Sequence, residues 1–553
     1  MAQNQSTPHS EIKIEHEIKF EHEINIEHDL NILSDKNEYI ITITNVNDQD
    51  AQTVENDDLL HGIELFLVAL SLVCAVFLSA LDQTILATAL PKIVSDFNGL
   101  DQIAWVATSY LLTVTSFEPI YGKLADIFGR KITFLFAIII FEFGSLLCGV
   151  ASDMVSLIIY RAVAGFGGGG IIGLALIIIP DIVSTKDVGK YQSALNASFG
   201  IASIAGPLMG GVFTDHVSWR WCFFINLPPG AITVIAIIFL LHMKKLAGSL
   251  LGKFKRIDFI GIIIMVSSTV CILLPLNWGG STYAWNSPVI IVLLCAGFVG
   301  YIIFGLVETY IVSEPVVSPH LFKNLNVISC FIASIFQGMI FFSLVLYIPL
   351  YFQVVNEVSA TQSGIYFLPC ILSGVLFSIL TGQMFSRTDK IPFQYAYLFA
   401  SALAIIGAGL TTIWNENTGN GELIVSMIIS GAGSGISIQS LILCVQGSVE
   451  HKDIASVTSL TMFFRSIGAV FGIALSGTAF NNKLSQELSS LVLPPSFSTQ
   501  SIYSIQLLPP ETKSLVIHAY VLAFQFLFYF IILSAALMFI SNLFMGKSKP
   551  KHK

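Results

Sequence analysis

The chain has 553 residues, of which 54% are hydrophobic and 11% charged, where soluble domains carry about 25% charged residues. Such a surplus of apolar side chains excludes an ordinary string of soluble domains; the net charge is −9, and no basic domain suggests nucleic-acid binding. The acidity is local: residues 1–61 hold 14 Asp/Glu and 3 Lys/Arg, whereas the remainder holds 22 acids and 24 bases.

The chain opens with an acidic tail, residues 1–61, containing a six-residue repeat: Glu11–His16, Glu17–His22 and Glu23–His28. The period is far too short for a helical solenoid, and the composition predicts a disordered cytosolic segment. The Glu-His pairs are also suited to weak metal or pH sensing. With no early apolar stretch, no secretory signal peptide is expected, so targeting would fall to the first membrane helix.

From His61 onward, apolar blocks of about 20 residues recur, each long enough to span a bilayer. They lie near 62–82, 103–122, 132–151, 155–179, 192–213, 222–243, 258–276, 288–309, 326–350, 363–385, 392–413, 422–446, 456–480 and 517–542. Lipid leaves no partner for an unpaired backbone group, so each block is expected to be helical. This gives an all-α integral membrane protein of about 14 transmembrane helices. With both termini cytosolic, the inside loops would hold 18 Lys/Arg and the outside loops 4, the asymmetry expected of an even helix count. The inner connection 244–257 is the most basic and suits anionic lipid as well as ordinary topology. The outer loop near 481–516 carries no clear pattern.

Charges inside lipid are costly and therefore mark candidate sites. Asp82 closes the first apolar block. Glu118 and Glu142 fall in the second and third, Arg161 in the fourth and Arg465 in the thirteenth. A buried guanidinium needs acceptors. Gln83 and Gln337 are polar at plausible cavity depth. The loop Gly122–Lys131 alternates charge between the second and third helices, and Asp126 suits a helix N-terminus. Gly382–Lys390 faintly echoes it. Glycines crowd helices four and five, where small residues permit close packing. The eight cysteines lie in or beside apolar blocks without a CxxC pair, so neither a disulfide framework nor a zinc site is expected.

These stretches resemble the major facilitator superfamily, specifically its fungal fourteen-helix drug:proton antiporter family, over residues 62–545. Gly122–Lys131 is similar to the signature loop between helices two and three. Leu81–Pro91 matches the first-helix motif of the fourteen-helix group. Ile159-Tyr160-Arg161 with Gly165 resembles the fourth-helix arginine motif, and Gly206-Pro207-Leu208-Met209-Gly210-Gly211 the fifth-helix antiporter motif. Ser218–Pro228 and Trp278-Gly279-Gly280 with Tyr283-Ala284-Trp285 add a fungal character. The resemblance implies a six-helix bundle over 62–243, linker helices over 258–309, a second bundle over 310–545 and a basic tail over 546–553. It implies rocker-switch alternating access, with Asp82 and Arg161 in proton coupling; Glu118, read from its charge alone, is a further coupling candidate. Gly122, Asp126, Gly129, Arg130 and Lys131 would form a cytosolic latch, and Gly206, Pro207, Gly210 and Gly211 the antiporter motif. Gln83, Gln337 and Arg465 would line the substrate cavity. Position 118 is usually Gln in such sequences.

The expected function is proton-driven export of small amphipathic or cationic compounds, by a monomer in the plasma membrane that needs no metal or cofactor. Its partners would be substrate, protons and lipid. Vacuolar transport of basic amino acids is the alternative close to it. A nutrient sensor that binds without turnover is an alternative of another class, and the repetitive tail is a poor candidate for its usual long folded cytosolic extension. No P-loop, HExxH or serine triad supports an enzyme.

Overall fold

A computed structural model describes residues 60–97, 103–243, 249–280, 283–312, 314–387, 391–491, 505 and 508–546. The tail repeat, Lys244 and Lys245 of the basic connection, Lys390 and the C-terminal bases from Lys547 lie outside these residues.

The described chain is a succession of long helices: α1 Gly62–Phe97, α2 Ile103–Phe128, α3 Arg130–Gly149, α4 Met154–Ile182, α5 Val188–His216 and α6 Leu227–Leu240. Then come α7 Phe259–Trp278, α8 Pro288–Tyr310, α9 Leu325–Val355, α10 Ala360–Arg387, α11 Phe393–Thr411, α12 Asn420–Gly447, α13 Ile454–Leu488 and α14 Pro510–Leu543. Among the described residues, thirteen spans are long and apolar enough to cross a membrane. The exception is α2, whose 26 residues reach about 39 Å. It carries Thr108, Ser109, Thr113, Thr115, Ser116 and Glu118. Its neighbours α4, α13 and α7 shield this polar surface from lipid.

Several helices exceed the apolar blocks that foretold them. The first block ends at Asp82, whereas α1 continues to Phe97, so Asp82 is mid-helix rather than at a helix end. A hydropathy criterion stops at a charge; the helix does not, because its carboxylate has a partner inside the protein. The block 222–243 resolves into a one-turn helix, Trp221–Phe224, and α6, broken around Asn226 and Pro228. The basic connection contains a short helix, Leu250–Lys255, capped by Ser249.

Helix packing follows residue size. α1 packs on α5, α4 and α6, while α4 packs on α2 and α3. The glycine row of α4 permits this: a Cβ at Gly169 would stand 2.7 Å from the Val114 carbonyl oxygen of α2. Small residues that let backbones meet are a main device for joining helices in lipid, where the hydrophobic effect is absent. In the second set, α9 packs on α13 and α14, α10 on α12, and α11 on α12 and α14. Among the described residues, the two largest contacts between the sets are α2 with α13 and α5 with α10, and smaller ones join α4 to α13 and α5 to α12. The helices α2 and α10 are second in their sets and α5 and α13 fifth, so the joins are equivalent, as inverted or parallel repeats produce. α7 and α8 pair with each other, and α7 leans on both α2 and α13.

Candidate functional site: a buried ion pair beside a central cavity

Asp82 is fully buried on α1 and meets Arg161 of α4, 1% exposed, in a direct ion pair. The guanidinium also donates from Nε to the Val106 carbonyl at 3.2 Å and lies 4.3 Å from the Tyr110 ring centroid. The Phe223 ring is 5.8 Å away. Asn226, fully buried at the break before α6, donates to Asp82 Oδ1 at 3.4 Å and to Ser145 Oγ at 3.2 Å. An ion pair stripped of water survives only when its remaining donors and acceptors are met; a carbonyl, an aromatic face and an amide meet them here. Sequence reasoning named the two charges but missed Tyr110, Ser145 and Asn226. Asn226 was visible inside the quoted Ser218–Pro228 stretch, as a lone amide between aromatic and proline residues.

Thr84, two residues after Asp82, ties α1 to α5 by donating to the Ala202 carbonyl at 3.0 Å. Gly206 sits opposite, where a Cβ would stand 2.9 Å from the Ile85 nitrogen and strike the Thr84 side chain. Gly206 thus lets α5 lie against the turn holding Asp82. Pro207 lies within α5. Gly210 is buried, and Thr214 donates to its carbonyl at 2.6 Å. Gly211 faces open space.

Gln83, the next residue after Asp82, lines a central cavity of about 160 Å³ between the helix sets. Glu118 of α2 and Arg465 and Ser466 of α13 line it too, together with Phe341 and Phe342 of α9. Ser466 donates to Glu118 Oε1 at 3.1 Å, across the two sets. The second Glu118 oxygen and Arg465 Nε are buried without a hydrogen-bond partner, and Arg465 lies 5.6 Å from the Phe341 ring centroid. Glu118 is therefore separate from the Asp82 pair: it faces the other helix set. Gln337 is buried in α9, its amide atoms unpartnered, and it is not part of the cavity wall.

The face carrying the basic loops is closed in two layers. The inner layer is made of amides: Gln192 donates to Gln446 Oε1 and Asn196 to Gln439 Oε1, each at 2.9 Å. Gln439 donates in turn to the Gly189 carbonyl at 3.2 Å. A Cβ at Gly189 would lie 2.8 Å from the Gly382 carbonyl oxygen, so α5 and α10 touch backbone to backbone. The outer layer is ionic. Arg130 contacts Asp126 at 3.5 Å and Asp181 at 2.9 Å, and Asp181 meets His451 at 3.2 Å. Lys123 and Arg256 share Glu314, at 3.5 and 2.8 Å. Of the other residues in the Gly122–Lys131 loop, Gly129 adopts φ 95°, Lys131 reaches α6 by donating to the Ile238 carbonyl at 2.8 Å, and Gly122 abuts Ser459 of α13 in the other helix set. Asp181, His451 and Glu314 escaped the sequence reading, for nothing local marks charges that meet only across loops. Gln192 and Asn196 lie four residues apart, and Gln439 and Gln446 seven apart. That helical spacing of amides in apolar segments was a readable signal.

The sequence profile of the Major Facilitator Superfamily matches residues 72–473. The chain belongs to that superfamily. Among its major facilitator relatives, the MFS-type efflux pump MFS1 of Arthroderma benhamiae is 40% identical over 451 residues, covering 80% of this chain and 82% of the relative. Efflux pump aflT of Aspergillus parasiticus is 35% identical over 481 residues, covering 85% and 93%. The solved structure of the human organic anion transporter MFSD10 superposes with a TM-score of 0.58 at 12% identity, over 88% of this chain and 100% of the other. That last likeness concerns the fold alone. As a major facilitator protein the chain is a multi-pass membrane transporter rather than an enzyme.

Proposed function

We propose that this protein exports small amphipathic molecules in exchange for protons, by alternating access around the central cavity. The observation carrying the reading is the buried Asp82–Arg161 pair placed one residue from the cavity wall at Gln83. Protonating Asp82 removes the charge that holds Arg161, while Val106 and Tyr110 keep the guanidinium in place. The contact between α1 and α4 then loosens, and α1 carries Gln83 with it. A proton site and a substrate surface on successive residues of one helix give each ligand a means to bias the other. The efflux relatives support the direction of transport.

In this reading residues 62–243 and 310–545 are the two rocking bundles, α7 and α8 bridge them, and the basic face is cytosolic in the plasma membrane. Arg130, Asp126 and Asp181 form the cytosolic latch. Glu118, ionisable in the cavity itself, is a second proton-coupling carboxylate. It also favours a second reading, vacuolar transport of a basic amino acid such as arginine.

The test is uptake of a cationic dye and of arginine into vesicles holding the purified protein under an imposed pH gradient. Dye movement that requires the gradient and is lost in Asp82→Asn is the expected result. Arginine movement instead would favour the vacuolar reading. Gradient-dependent transport that persists in Asp82→Asn would overturn the coupling role of Asp82 and leave Glu118 to be tested next.

A further inference from the structure

A second cavity, of about 240 Å³, lies between α2, α7 and α13 on the side away from the basic face. Leu111, Val470 and Ile473 line both this cavity and the central one, so the two share a wall. We propose that it is a second binding site, an exit vestibule for uncharged aromatic amphipaths leaving the central cavity, and that the α7–α8 hairpin exists in part to build it.

The hairpin loop is shaped for this. The Gly280 nitrogen donates to the Tyr283 carbonyl at 2.8 Å and the Tyr283 nitrogen to the Trp278 carbonyl at 3.0 Å, closing a tight turn. Gly280 has φ 76°, and a Cβ there would stand 2.9 Å from Trp285 Nε1. Gly279 is equally constrained, its added Cβ falling 2.7 Å from the same indole. The two glycines therefore let the Trp285 ring lie flat on the turn, where it forms part of the cavity wall.

The hairpin is also pinned to both halves of the molecule. Thr108 of α2 donates to Asn277 Oδ1 at 3.2 Å, and Trp285 Nε1 donates to Thr478 Oγ1 of α13 at 3.0 Å. Because α2 and α13 form one of the two largest contacts between the helix sets, the cavity must change shape whenever those helices move past each other. A ligand held there is bound in one state and released in the other.

The lining sets the ligand class. It contains no Asp, Glu, Lys, Arg or His among the described residues, so a charged molecule would gain no partner for the desolvation it suffers. An indole face, leucine side chains and the amides of Asn481 and Asn482 instead suit a flat apolar body with a few hydrogen-bonding groups.

The inference rests on the efflux reading, and Nile red, a neutral aromatic dye, separates the two. Binding to the full-length protein in nanodiscs is titrated by dye fluorescence, and efflux is followed in vesicles. Two dyes per protein are expected, falling to one in Trp285→Ala with the remaining site unchanged in affinity and export slowed. Ala474→Leu fills the same cavity without disturbing the hairpin turn and should give the same loss, which guards against a misfolded Trp285 variant. Export with only one bound dye, or two bound dyes in Ala474→Leu, would overturn the vestibule alone. A natural protein that neither binds nor moves the dye would overturn both the vestibule and the export of neutral amphipaths.

Discussion

At the scale of single residues, the Asp82–Arg161 pair dominates. Both groups are sealed from water, so removing one strands the other. Breaking a buried ion pair in this way costs about 3–5 kcal/mol, while replacing both partners with apolar groups is often neutral. Arg161→Met should therefore lower the thermal unfolding temperature in detergent markedly, and Arg161→Met with Asp82→Leu should recover most of the loss. Equal destabilisation by single and double variants would mean that the pair does not carry the energy. Both charges were legible in the sequence because a charged residue in an apolar block is conspicuous. Their supporting shell was not, since Tyr110, Ser145 and Asn226 come from three different segments and each is unremarkable alone. Gln337 shows the converse: its depth in the chain suggested the cavity, but helix rotation, which one sequence does not reveal, turned it into the packing of α9.

At the scale of helices, glycine positions decide which elements touch. Gly206 brings α5 onto α1 at Thr84 and Ile85, and overpacking such a contact costs about 1–3 kcal/mol or more. Gly206→Ala should thus reduce both folded yield and transport, while Gly211→Ala, whose Cβ meets nothing within 4 Å, should leave the yield unchanged. Size-exclusion profiles of the two variants decide this. The helix order was readable almost throughout, because a 20-residue apolar block has few alternatives in lipid. The lengths were less so. α1 runs on past Asp82 because that carboxylate is paired inside the protein, and α13 continues to Leu488 because polar turns beyond the hydrocarbon remain helical without being apolar.

At the scale of the whole molecule, the closed basic face is one of two arrangements that alternating access requires. Gly189 and Gly382 allow the backbones of α5 and α10 to meet there, so Gly189→Val should wedge this face open. Destabilisation by 1.4 kcal/mol is about a tenfold change in the ratio of states. A cysteine placed at Ser378 should react with a thiol reagent supplied from the basic side faster in the Gly189→Val background; an unchanged rate would place the hinge elsewhere. The ionic rim responds to pH instead. Arg256, with help from Lys123, holds the Glu314 carboxyl below its ordinary value. A lowered carboxylate stabilises the fold above its unfolded pKa and loses that effect as pH falls through its folded pKa. The stability gap between the natural protein and Glu314→Gln should therefore be present at pH 7 and close under acid, as melting curves at both pH values would show. The two layers of this face also differ in how they answer to dissolved ions. The exposed Arg256–Glu314 pair of the rim weakens as the screening length shrinks below about 8 Å at physiological salt, whereas the Gln192–Gln446 and Asn196–Gln439 amide bonds carry no net charge to screen. Raising ionic strength should loosen the rim and leave the inner seal intact, so the rate of cycling becomes tunable by salt on the basic side without the membrane becoming leaky.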